Sequence, residues 1–213
     1  QKVFVSWSSG KDSYLALQKA IEQGLTVTNL VTFVNKEGRS MSHGVDTAVL
    51  HRQARALGFP LKTEPVSWKE YENGFVNTVT DLKKQGVTGG VFGDINLPDH
   101  RRWVESRCRR LSITPFLPLW GMEETAVVSE LLEQKARLLI VALRSDLLDE
   151  KWIGRELNEE FLQLCLKKGI SPCGEHGEYH TLAIGGPLFQ EPLKFKKGKI
   201  LRQDNLLYQD IKA

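Results

Sequence analysis

Six consecutive residues, Ser8-Ser9-Gly10-Lys11-Asp12-Ser13, have the types and the spacing to grip a phosphate. The apolar run Val3-Phe4-Val5 leads into them, and a helical pattern of Tyr14, Leu17 and Ile21 leads out. A strand end, a turn of small residues and a helix N-terminus together present free main-chain N–H groups to an anion. Ser8, Ser9 and Gly10 are small enough for those amides to close in. Lys11 adds a mobile cation, and Asp12 can cap the helix or hold a magnesium ion. The run lacks the first glycine and the four-residue spacer of a Walker A loop. The plainer alternative is a strand-to-helix turn with Asp12 or Ser13 as N-cap and Lys11 in solvent.

A second dense run is Cys173-Gly174-Glu175-His176-Gly177-Glu178-Tyr179-His180-Thr181. Its glycines allow close approach of the backbone or a positive φ. Strand alternation places Glu178 and His180 on one face. Glu175, Glu178 and His180 could hold magnesium, bind an amine or move protons. Their spacing is not diagnostic of a metal, and a polar turn leading into a strand is the competing reading. Asp94 follows the strand-like Gly90-Val91-Phe92-Gly93, where α/β enzymes place working residues, though it can also cap the next helix. Ser42-His43-Gly44 lines an adenosine pocket or is an ordinary loop. Arg101, Glu105 and Arg109 read as a salt-bridged exposed helix face, whose surplus charge could meet phosphates or an acidic partner. Lys194, Lys196, Lys197 and Lys199 around Gly198 read as a charged edge hairpin.

The elements that must position these groups alternate. Strand patterns at 2–6, 27–34, 61–66 and 90–92 are separated by helical patterns ending at Gly24, at Gly58 and near Gln85, with Asp46 as the N-cap of the second helix. A helix through Val104, Cys108 and Leu111 precedes a fifth strand at 113–119. Such alternation implies a doubly wound parallel sheet with the ligand over the carboxyl ends of its strands. Beyond Gly121 the pattern loosens into a helix at 123–135, a strand at 138–143, a helix around Phe161, and short strands. We therefore expect an α/β nucleotide-binding domain over residues 1–121 and a smaller α+β domain over 122–213.

Composition bounds the class. At 213 residues, 41% apolar and 26% charged, the chain has the material for a full core. Its 29 basic and 26 acidic residues leave a net charge of +3, which counts against a dedicated nucleic-acid binder. Three cysteines without a CxxC pair indicate a reduced, cytoplasmic protein without a zinc site. No apolar run has membrane-spanning length, and no signal peptide is expected ahead of the first strand.

The chain resembles the PP-loop ATP pyrophosphatases, whose Ser-x-Gly-Lys-Asp-Ser loop serves cleavage of ATP between its α- and β-phosphates. Within them it is similar to the diphthine–ammonia ligase family. The resemblance is carried by residues 8–13, Gly93-Asp94-Ile95, Arg101 to Cys108, Pro115 to Gly121, Gly154-Arg155-Glu156, Cys173-Gly174-Glu175-x-Gly177-Glu178-Tyr179 and Gly186-Pro187-Leu188-Phe189. It implies a HUP-type, Rossmann-like domain followed by a smaller substrate domain. The reaction implied is carboxylate, ammonia and ATP going to amide, AMP and pyrophosphate. Ser8, Ser9, Gly10, Lys11, Asp12 and Ser13 would then grip the departing pyrophosphate, with His43 and Gly93 also at the nucleotide. Asp12 and Asp94 would hold Mg²⁺, and Glu175 and Glu178 would face the acyl group or the ammonia. The implied acceptor is a carboxylate such as diphthine on translation elongation factor 2, and homodimerisation stays open. Ser9 stands where the family has glycine, and His176, His180 and Gly185 depart from the ligases proper. With Met41 to Val45 these choices are similar to the bacterial branch, which leaves the acceptor open. A PP-loop tRNA-modifying enzyme and an ATP-binding regulator without turnover are the alternatives.

Overall fold

Strand β1 (Lys2–Ser6) is the axis of the fold, because Val3, Phe4 and Val5 are buried on both faces of the sheet it centres. A computed structural model describes residues 1–41 and 43–213. β1 pairs in parallel with β2 (Thr26–Val34) on one side and β4 (Gly89–Val91) on the other; β3 (Leu61–Pro65) and β5 (Thr114–Phe116) complete the order β3-β2-β1-β4-β5. Helices α1 (Lys11–Glu22), α2 (Thr47–Leu57), α3 (Tyr71–Lys84) and α4 (Pro98–Arg110) form the crossovers. The chain steps outward from β1 to β3 and then crosses back to β4. That reversal opens a crevice beyond the carboxyl ends of β1 and β4.

The remaining chain forms α5 (Glu124–Glu133), β6 (Arg137–Arg144), α6 (Glu159–Lys168), β7 (Tyr179–Gly185), β8 (Lys196–Gln203) and β9 (Leu206–Lys212). Its four strands make an antiparallel sheet of order β7-β6-β9-β8. Apolar burial joins the two sheets. One core runs from Val3, Tyr14 and Leu17 through Val127 and Leu138 to Tyr179, and another joins Val49 and Leu50 of α2 to Leu139 and Leu182. The outer face of the parallel sheet has its own core, in which Phe4 meets Phe75 and Phe92 edge-on. Helix α1, between the sheets, buries Lys11, Tyr14, Leu15, Ala16 and Leu17 almost all round.

The local signals held at the α2 ends: Asp46 accepts from Ala48 N–H at 2.8 Å, and Gly58 closes the helix in the left-handed region at φ +79°. Three expectations are corrected. β5 stops at Phe116, because Leu117 to Trp120 turn back on a bond from Trp120 N–H to Leu117 O. α3, expected from about Lys69, starts at Tyr71 after a turn in which Ser67 Oγ donates to Glu70. Residues 194–200 are no hairpin: Gly198 lies inside edge strand β8, at a register shift against β9, and the turn falls at Asp204-Asn205. Gln209 of β9 takes up the freed carbonyl of Gly198 at 2.9 Å.

Candidate active site

At the end of β1 the chain turns at Ser9, whose φ of +76° is left-handed and unusual for a residue other than glycine. Two bonds hold that turn: Ser9 O accepts from Ala183 N–H of β7 at 2.9 Å and from Gln53 Nε2 of α2 at 3.0 Å. Gly10 then forms the N-cap of α1 with no side chain capping the helix. A Cβ on Gly10 would lie 2.5 Å from His43 Cε1 and 2.8 Å from Thr181 O, so only glycine fits between them. Asp12 is therefore in the first helical turn, and neither it nor Ser13 is the N-cap. Ser13 Oγ instead donates to Gly10 O, and Ser8 Oγ donates to Ser13 Oγ.

Lys11 is buried rather than solvated. Its side chain is 4% exposed, and its ammonium is bonded at 2.8 Å to both oxygens of Asp12 and lies 5.6 Å from the Tyr179 ring centre. Burial pulls its pKa down, but Asp12, Cys173 and Glu175 together leave it raised. The Lys11 main-chain N–H donates to Thr181 Oγ1 at 3.1 Å.

Lys11, Asp12 and Thr181 open into a cavity of about 150 Å³ at the crevice between β1 and β4, which Ser8, Ser9, Gly10 and Ser13 do not line. Lys11 and Asp12 line it from α1, Gly93 and Asp94 from the end of β4, and Glu175 and His180 from the approach to β7 and β7 itself. Gly93 packs on the start of α1, where a Cβ would meet the Asp12 carbonyl carbon at 3.0 Å. Burial pushes Glu175 up to about 7, with Asp12 adding to the rise. His43 and His180 stack, ring centres 4.7 Å apart at 30°. Burial lowers both, His180 to about 4, so each is neutral at pH 7. A carbonyl cannot donate, so His43 Nδ1–H donates to Thr181 O at 3.1 Å and leaves Nε2 as an acceptor.

Of the residues singled out from sequence, Lys11, Asp12, His43, Gly93, Asp94 and Glu175 meet at this cavity. Glu178 does not line it. That carboxylate is buried, accepts from the main-chain N–H of exposed His176 at 3.0 Å, and precedes β7, so only His180 of the expected pair faces the cavity. Ser42 lies outside the described residues. Sequence reasoning missed His100, which pairs with Asp94 at 3.2 Å and is raised by that bond. Its position in the first turn after Asp94 was the available signal, masked by the arginines. In that helix Arg101 meets Glu105 as expected, while Arg107 and Arg110 reach Glu72 of α3. Gln53 was also missed and carried no signal beyond a polar position on an amphipathic helix.

A larger cleft of about 590 Å³ adjoins through His43, between the loops after β2 and β3 and the β8–β9 hairpin. Among the described residues no group of three or more His, Cys, Asp or Glu side chains could hold a metal ion, and no helix is long and apolar enough to cross a membrane.

Family models described as Diphthamide synthase N-terminal domain and Diphthamide synthase C-terminal domain match residues 1–115 and 123–213. A Mus musculus protein named Diphthine--ammonia ligase is 27% identical over 213 residues, 87% of this chain and 79% of that protein. The Homo sapiens protein of the same name is 26% identical with the same coverage. One from Schizosaccharomyces pombe is 23% identical over all of this chain and 39% of its own length. A solved structure described as a predicted subunit of tRNA methyltransferase from Methanocaldococcus jannaschii matches with a TM-score of 0.49 at 17% identity, covering 90% of this chain and 99% of that one.

Proposed function

This chain belongs to the diphthamide synthase family, and from that membership and the cavity's chemistry we propose that it is an ATP-dependent amide ligase. A carboxylate at neutral pH is a poor electrophile, and ammonia does not displace its oxygen. Attack of the carboxylate oxygen on the α-phosphorus of ATP, with loss of pyrophosphate, gives an acyl-adenylate. Ammonia then attacks the acyl carbon, AMP leaves, and one proton is released with the amide. The observation that carries the reading is the meeting of Lys11 at the α1 N-terminus with Asp94 and Glu175 across one cavity.

The helix N-terminus and Lys11 stabilise charge on the departing pyrophosphate. Loading ATP requires the Lys11–Asp12 pair to open, exchanging a carboxylate for phosphate at the ammonium. Asp12 and Asp94 fit a magnesium ion brought in on the phosphates, since such an ion takes one or two carboxylates from protein and the rest from substrate and water. Bound there, the ion would offset charge on the leaving group. Glu175, titrating near neutrality, takes the proton that ammonia sheds on attack. Glu178 keeps the His176 loop in place. The adenosine lies beside the neutral His43, toward the larger cleft.

We place the domain boundary near Gly121, with 1–121 handling nucleotide and 122–213 the acceptor. The acceptor is a carboxylate, with diphthine on elongation factor 2 the first to test because the relatives are named for it. A cytoplasmic location, and a kinship with the bacterial branch resting on His176, His180 and Gly185 with Met41 to Val45, belong to the same reading.

The test is product analysis with ATP, Mg²⁺, ammonium and candidate acceptors added in turn. Acceptor-dependent AMP and pyrophosphate are expected. ADP and phosphate would overturn the reading, and so would ATP consumption that ignores every acceptor.

A further inference from the structure

The side-chain amide of Gln53 lies wholly buried between the phosphate loop and the second sheet. Its Oε1 accepts from Trp7 Nε1 at 2.9 Å, and its Nε2 donates to Ser9 O at 3.0 Å and to Ala183 O at 2.7 Å. Trp7 offers only a donor and the two carbonyls only acceptors, so the amide has one possible orientation, with both N–H groups and the oxygen engaged. Glutamate would set a carboxylate against two carbonyls, and an apolar side chain would strand the buried Trp7 N–H.

Ser9 is the residue that needs such a hold. Its φ of +76° is strained in a residue with a Cβ and persists only where the surroundings over-determine it. In a trans peptide the carbonyl and the following N–H point in opposite directions. Fixing Ser9 O toward α2 and β7 therefore fixes Gly10 N–H toward Ser8 Oγ, 3.4 Å away, at the head of α1. The second N–H of the same Nε2 grips β7 at Ala183 O, two residues beyond the Thr181 that meets Lys11 and His43.

We propose that Gln53 is a positioning residue for nucleotide binding, holding the phosphate loop in its left-handed turn and in register with β7. The proposal rests on the reading that this loop binds ATP phosphates. Isothermal titration of ATP into the full chain, alongside thermal denaturation, tests it with wild type, Gln53→Met, Ser9→Gly and the double variant. Gln53→Met is expected to weaken ATP binding about tenfold or more and to lower the melting midpoint. Adding Ser9→Gly should recover most of the affinity but little of the midpoint, because glycine adopts positive φ without being held. A merely structural glutamine would show no such selective rescue. Should Gln53→Met not accumulate as folded protein, Gln53→Asn keeps the amide but is too short for all three partners, and the same rescue is read on it. Wild type that binds ATP while Gln53→Met binds it equally well, or a loss that Ser9→Gly leaves untouched, overturns the proposal alone. Wild type that binds no ATP overturns the phosphate reading and the proposal with it.

Discussion

The main-chain N–H of Lys11 donates to the hydroxyl of Thr181 at 3.1 Å, across 170 positions of sequence. The amide at the mouth of α1 is therefore directed by a side chain from the other sheet. Ala183 N–H and Gln53 repeat the arrangement one turn of backbone away, at Ser9. The cradle is the product of both sheets.

Thr181→Val keeps the shape and removes the acceptor, leaving a buried N–H unpaired. Stability should fall by about 1–3 kcal/mol, and the ATP KM should rise because the first turn of α1 loses its anchor. Thr181→Ser should restore both. Chemical denaturation and initial rates of AMP formation read the two effects, and a variant as stable as wild type would refute the anchoring role.

Lys11→Ala and Asp12→Ala should each reduce AMP formation at least ~100-fold, the scale of losing a group that meets charge developing in the transition state. The fold should survive in both, because the cores beneath α1 rest on Tyr14, Leu15 and Leu17. Circular dichroism with quenched-flow product analysis checks this, and full activity in either variant would refute the loop assignment.

Glu175 gives opposite signs for activity and stability. Its folded pKa is raised from 4.5 to about 7, so the folded state binds more protons than the unfolded state between those values. Stability therefore falls as pH rises through that window. Glu175→Gln should melt higher than wild type above pH 7, with the difference vanishing below pH 4.5. Wild-type amide formation should rise with pH through about 7; the variant should be ~100-fold slower and lack the rise. Melting curves and pH–rate profiles settle it, and an unchanged profile in the variant would remove Glu175 from the chemistry.

His43 and His180 act the other way. Both are held neutral, and His180 titrates at about 4 against an ordinary 6.5. As pH falls below 6.5 the unfolded state takes up protons first, so their contribution is lost between 6.5 and about 4. The melting midpoint of wild type should drop more steeply over that range than that of His43→Gln/His180→Gln. Parallel slopes would mean that the pair is not held neutral.

The strand, small-residue turn and helix of residues 3–21 were legible because such signals are local: apolar period, glycine, and a helix start lie within a few residues of one another. For the same reason Asp46 and Gly58 marked the ends of α2 correctly, and Asp94 at a strand end led to the cavity. Glu178 and the lysine-rich edge were misjudged because pattern fixes which side a residue takes only once a strand's limits are known, and those limits were set by pairing with β6 and β9. The sequence by itself determined the strand, turn and helix of residues 3–21, the alternation of the parallel sheet and the family. Only the tertiary structure decided that Lys11 would be buried against Tyr179, that Glu175 would titrate near neutrality, and that Gln53 and Thr181 would hold the loop. Each of those depends on which distant atoms exclude water from a group or complete its hydrogen bonds, and that is fixed when the two sheets close on α1.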